Sequence, residues 1–94
     1  MSNNEIPLIA RAVPSSVRVS IPLEVVRKND YRAGDKIAVR IEGDNGEAVE
    51  FTARVRRYGV QYMFTIPAKA WPYIRDLGYD TNEVIPMDLT RPAP

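Results

Sequence analysis

Histidine and cysteine are both absent from the chain. Without histidine the commonest general base and the commonest metal ligand are missing. Without either residue no zinc site is expected, and disulfides are ruled out. The lack of cysteine fits a reducing compartment. No apolar run approaches the roughly 20 residues needed to span a bilayer. The polar start Met1-Ser2-Asn3-Asn4-Glu5 has neither the basic nor the apolar region of a secretory signal, so the cytoplasm is the expected location. There is no glycine-rich phosphate loop and no nucleophile elbow. Ser15 and Ser16 fall in a turn with no base partner nearby. Glu42, Asp44, Glu47 and Glu50 gather round a hairpin but lack calcium-loop spacing, and read as a solvated turn. The chain therefore does not read as an enzyme, and no cofactor or metal is expected.

An excess of either charge is lacking too: 13 Lys and Arg face 12 Asp and Glu, for a net charge of +1. The distribution is less even. Residues 1–41 carry seven basic side chains against four acidic ones, and residues 42–94 carry six against eight. Arg outnumbers Lys ten to three, and the planar guanidinium fork suits phosphate and carboxylate better than a point charge does. At 94 residues, 45% of them apolar, the chain is one domain, 1–94, with a single modest core.

Hydrophobic alternation marks strands over Ile6–Val13, Val17–Ile21, Lys36–Glu42, Ala48–Tyr58, Gln61–Ile66 and Glu83–Thr90. Short helices are predicted from Leu23 to Asp30 and from about Lys69 to Leu77, with Leu23 and Val26 facing inward in the first and Val25 a further candidate. Pro22 suits the opening of a helix, and Pro72 is tolerated only in a first turn. Gly43-Asp44-Asn45-Gly46 is a hairpin signal, because Asn-Gly fits a type I′ turn. The tail Arg91-Pro92-Ala93-Pro94 is expected to fray.

The pattern recurs. Val19-Ser20-Ile21-Pro22 and Phe64-Thr65-Ile66-Pro67 are 45 residues apart, and Asp35 meets Asp80 at the same offset. Ile9-Ala10-Arg11-Ala12-Val13 is similar to Thr52-Ala53-Arg54-Val55-Arg56, at a slightly shorter one. The expected fold is mainly β with two short helices: a six-stranded barrel-like domain made of two β-β-α-β halves. Closure would remove exposed sheet edges. Trp71, Tyr73, Tyr58, Tyr62 and Tyr79 are candidates for base stacking, but packing is the favoured reading because no basic groove accompanies them.

Residues 6–58 resemble the swapped-hairpin DNA-binding domain of AbrB-like regulators and MazE-type antitoxins, with 48–90 as an overlapping second repeat. The likeness rests on Ile9-Ala10-Arg11-Ala12-Val13, then Arg18-Val19-Ser20-Ile21-Pro22. The short basic helix Leu23-Glu24-Val25-Val26-Arg27-Lys28 follows, and then the Gly34-Asp35 turn, or GD box. The resemblance implies a homodimer that binds duplex DNA through Arg11, Arg18 and Arg27 and regulates transcription. Val26 stands where the first member of the family's basic helix pair would be, with Lys28 supplying some of that charge. Arg54 is the counterpart of Arg11 in the second half, whereas Met63 and Pro72 replace Arg18 and Arg27. Arg18 itself is expected to be solvent-exposed, opposite Val17 and Val19. The alternative is a double-psi-like barrel acting as a protein-interaction module or antitoxin, for which near-neutral charge and the duplicated unit speak.

Overall fold

The computed structural model describes residues 5–92; Met1–Asn4, most of the polar start, and Ala93–Pro94 of the tail lie outside the described residues. Three hairpins carry most of the strands: β1 (Glu5–Val13) with β2 (Ser16–Ile21), β3 (Lys36–Glu42) with β4 (Ala48–Arg54), and β5 (Arg56–Tyr58) with β6 (Gln61–Ile66). Helix α1 (Leu23–Asn29) follows β2, α2 (Trp71–Asp76) follows β6, and β7 (Val84–Thr90) ends the fold. All seven strands join one antiparallel sheet in the order β4-β3-β7-β1-β2-β6-β5.

Seven strands stand where six are expected, and the reason is Val55. Its N–H donates to the Asp35 carbonyl at 2.8 Å, and its own carbonyl accepts the Gly34 N–H at 2.7 Å. Val55 is thereby drawn out of the ladder, and the long segment divides into β4 and β5, which lie at opposite edges of the sheet. No ladder joins those edges, so the sheet is not closed.

Ladder registers relate the two halves of the chain. In the β2–β6 ladder Val19 lies opposite Phe64, the residue 45 positions on, and in the β3–β7 ladder Arg40 lies opposite Asp88, 48 positions on. Moving each residue of β1 and β2 by the first offset and of β3 by the second carries β1–β2 onto β5–β6 and β1–β7 onto β4–β3. The offset changes because three more residues separate Ile66 from Val84 than separate Ile21 from Lys36. Two of the residue matches expected from the sequence are corrected by this register. Arg11 corresponds to Arg56, not Arg54. Asp35 corresponds to Glu83, not Asp80: the Arg32 N–H donates to Asp35 Oδ2 at 2.9 Å, as the Asp80 N–H donates to Glu83 Oε1 at 2.7 Å. Gly34 (φ 95°) and Asn82 (φ 65°) hold matching left-handed positions, their N–H groups bonded to Val55 and Ala10 carbonyls.

The Ile-Pro corners act alike. The Pro22 carbonyl accepts the Val25 and Val26 N–H groups, and the Pro67 carbonyl accepts those of Ala70 and Trp71, so each corner starts its helix. Helix α2 begins two residues later than expected, with Pro72 in its first turn, where a missing N–H costs nothing. Only Val26 of α1 is buried, while Leu23 is 45% exposed. A seven-residue helix makes fewer than two turns and drives little more than one side chain into the core.

Val19, Phe64, Ile37, Val39, Ile41, Ile85, Met87 and Ile74 are almost wholly buried and form the centre of the core. In β7 it is Ile85 that points inward, and Val84 is exposed. The Cα radius of gyration, 12.6 Å, is what one compact domain of this length has, about 12 Å. Arg91 does not fray: its guanidinium donates to the Asn29 carbonyl at 2.8 Å and lies 5.6 Å from the Tyr31 ring centroid. Among the described residues no helix is long and apolar enough to cross a membrane.

Candidate nucleic-acid interface

Strand alternation sends Val17, Val19 and Ile21 of β2, and Tyr62, Phe64 and Ile66 of β6, toward the core. The other parity makes an outer face across β1-β2-β6-β5. It carries Arg11 on β1, Arg18 and Ser20 on β2, Met63 and Thr65 on β6, and Arg56 and Tyr58 on β5. The one acid of this parity on those four strands, Glu5, lies at the far end of β1, six residues from Arg11.

Arg11 and Arg18 are direct partners across the β1–β2 ladder. Like charges directly opposite each other weaken a sheet, and among the described residues no ion pair neutralises either of them. Arg56 pairs across the β5–β6 ladder with Met63, which in turn pairs with Ser20 of β2. Arg18 departs from expectation in one respect. It is half-buried, because its guanidinium lies 5.3 Å from the centroid of the Tyr58 ring, which holds it in place on the face.

The remaining expected site residues lie elsewhere or are engaged. Arg54 ends β4 and spends a guanidinium N–H on the Gly34 carbonyl at 2.9 Å, which braces the Gly34-Asp35 turn. Arg27 and Lys28 are exposed in the last turn of α1. Lys28 lines a groove with Glu5, Thr90 and Arg91. Glu5 lies six residues from Arg11 along β1, about 20 Å at the usual strand rise. The structure thus brings Arg11 and Arg18 together and leaves Arg27 and Lys28 at the other end. Arg56 was missed from the sequence, although applying the 45-residue offset of the Ile-Pro repeat to Arg11 would have found it.

The outer face of the other half of the sheet is of opposite character. Arg40 of β3 is held by Glu42 at 3.1 Å and Glu50 at 3.2 Å, and the hydrogen bonds its guanidinium donates to those two carboxylates push its pKa up. Asp88 lies opposite Arg40 on β7, and Glu5 opposite Asp88 on β1. Arg75 and Arg91 likewise have acidic partners, Asp80 and Asp35. One half of the outer face therefore concentrates unneutralised arginine, while the acids gather on the other half. Of the aromatic candidates, Trp71, Tyr62 and Tyr79 pack against the core, and the Tyr79 hydroxyl donates to the Glu42 carbonyl at 3.0 Å. Tyr58 is different, because it shares the arginine face. Comparison with protein-family models, curated proteins and solved structures gives no significant match.

Proposed function

We propose that this chain binds duplex DNA through the Arg11–Arg18–Arg56 face and acts as a transcriptional regulator of the AbrB-like type. The observation that carries the reading is the Arg11–Arg18 rung: two like charges face each other with no acid to offset them. A polyanion would turn that repulsion into attraction. Arg11 and Arg56 stand on strands three places apart, roughly 14 Å at the usual strand spacing. That is on the order of the width of the DNA major groove, so the outer arginines can meet phosphates on both of its borders while Arg18 lies between them. Contacts of this kind position a protein without reading sequence. Arg27 and Lys28, at the other end of β1, stand apart from this set of three, and Arg54 supports the turn instead of touching DNA.

The barrel reading extends this architecture: β4 and β5, consecutive in the chain, would complete a swapped-hairpin or double-psi-like wall at the two sheet edges. A titration of labelled duplex DNA at two salt concentrations tests the proposal, with salt-sensitive binding as the expected result. Absence of binding at low salt would defeat it. The protein-interaction alternative draws on a groove lined by Val49, Phe51, Pro67, Ala70 and the exposed Tyr73. A pull-down that returned a stoichiometric protein and no nucleic acid would favour that reading.

A further inference from the structure

The turn between β5 and β6 displays apolar surface on the basic face. Tyr58 pairs with Gln61, so the loop is Gly59-Val60, and Gly59 at φ 63° supplies the first position of a type II′ turn. Val60 is 81% exposed, the most of any large apolar side chain in the described residues, and Tyr58 beside it is 51% exposed. Neither is a loose end. Arg18 stacks on Tyr58 at 5.3 Å, and Arg57 stacks on Tyr62 at 5.7 Å while donating its Nε–H to the Gly59 carbonyl at 2.8 Å. The hairpin is braced at its base and holds its tip in position. The fold does not require this tip to be apolar, because the corresponding β1–β2 turn, Pro14-Ser15, places a serine where Val60 stands.

We infer that the Tyr58–Val60 tip engages an unpaired or unstacked DNA base. Val60 inserts as a wedge beside the base, and Tyr58, covered on one side by the Arg18 guanidinium, offers its open face for stacking. Apolar side chains inserted between base steps are the way minor-groove binders unstack DNA, and an aromatic platform accepts any base. The inference rests on the DNA-binding reading above and adds the nucleotide state that is preferred.

The test compares one short duplex with the same duplex carrying a few central mismatched pairs, one of them marked with 2-aminopurine. Wild-type protein is expected to bind the mismatched duplex about tenfold more tightly and to change the 2-aminopurine fluorescence. Val60→Ser should lose that preference while still binding the paired duplex; Tyr58→Ala should lose it too, and Tyr58→Phe, which keeps the ring that seats Arg18, should keep it. Circular dichroism melts verify that each variant folds. Equal binding of the two duplexes by wild type, or a preference that survives Tyr58→Ala, would overturn the inference and leave the DNA reading standing. Failure to bind either duplex would sink the DNA reading itself. Val60-dependent binding to phosphatidylserine vesicles without duplex discrimination would assign the tip to a membrane surface and overturn the inference as well.

Discussion

Replacing Arg18 by alanine removes the central charge of the arginine face without touching the core. Three phosphate contacts from Arg11, Arg18 and Arg56 give a log–log salt slope of about −2.7, so affinity falls roughly fortyfold between 50 and 200 mM salt. The variant keeps two contacts, and its slope becomes about −1.8, a fall of roughly twelvefold over the same range. At fixed low salt, loss of one charge-assisted hydrogen bond weakens binding about tenfold or more. Stability should move by less than about 0.5 kcal/mol. The variant loses the Tyr58 cation–π contact but also relieves the Arg11–Arg18 repulsion, two effects of similar size. The assay is fluorescence anisotropy of a labelled duplex at several salt concentrations, with Arg40→Ala as the control. Arg40 is already paired with Glu42 and Glu50, so its loss should not weaken DNA binding. The slope also counts chains, since a homodimer presenting two faces would give about −5.4. If Arg18→Ala kept the wild-type affinity and slope, or Arg40→Ala lost as much, the reasoning would be refuted.

Other expectations concern the fold that holds this face. Phe64, fully buried opposite Val19, should cost about 3–5 kcal/mol as Phe64→Ala, seen as a lower urea midpoint with an unchanged slope. Gly34 has open space around its Cα but a φ of 95°, so Gly34→Ala should cost about 1–3 kcal/mol from backbone strain alone. Gly34→Asn should cost less, as Asn82 occupies the matching left-handed position, and parallel thermal melts compare the two variants. Burial pushes the Tyr31 phenol above its ordinary value of 10.0, with Asp88 adding to the rise and Arg91 opposing it. The neutral phenol is thus favoured in the folded state. Its contribution is fully present below pH 10 and is lost as pH rises through the higher folded value. Tyr31→Phe should flatten that alkaline decline in a pH series of denaturation curves.

The strands and both helices were legible because alternation and the Ile-Pro corners are local signals. The break at Val55 was not. Val55 continues the apolar alternation of Val49, Phe51 and Ala53, and only its hydrogen bonds to Gly34 and Asp35, some twenty residues upstream, remove it from the ladder. The same distance effect concealed the role of Arg54, which looked like a free surface cation and instead holds the Gly34 carbonyl. Arg56 was hidden by an alignment that allowed the first hairpin a different length; the ladders keep one offset throughout β1 and β2. Tyr58 could not be separated from the packing aromatics, because its contact with Arg18 crosses strands 40 residues apart in the chain. The tail was expected to be free because Pro-rich ends usually are, yet Arg91 finds two carbonyls at the end of α1.

The central claim is that one face of the sheet meets DNA, and NMR mapping tests it most directly. Isotope-labelled protein titrated with duplex DNA should show its largest shifts at the backbone amides of Arg11, Arg18, Thr65 and Arg56 and at the Nε–H groups of the three arginines. Arg40, Glu42, Glu50 and Asp88 on the opposite half of the sheet should stay in place. Shifts centred on that acidic half, or an unchanged spectrum at low salt, would contradict the account.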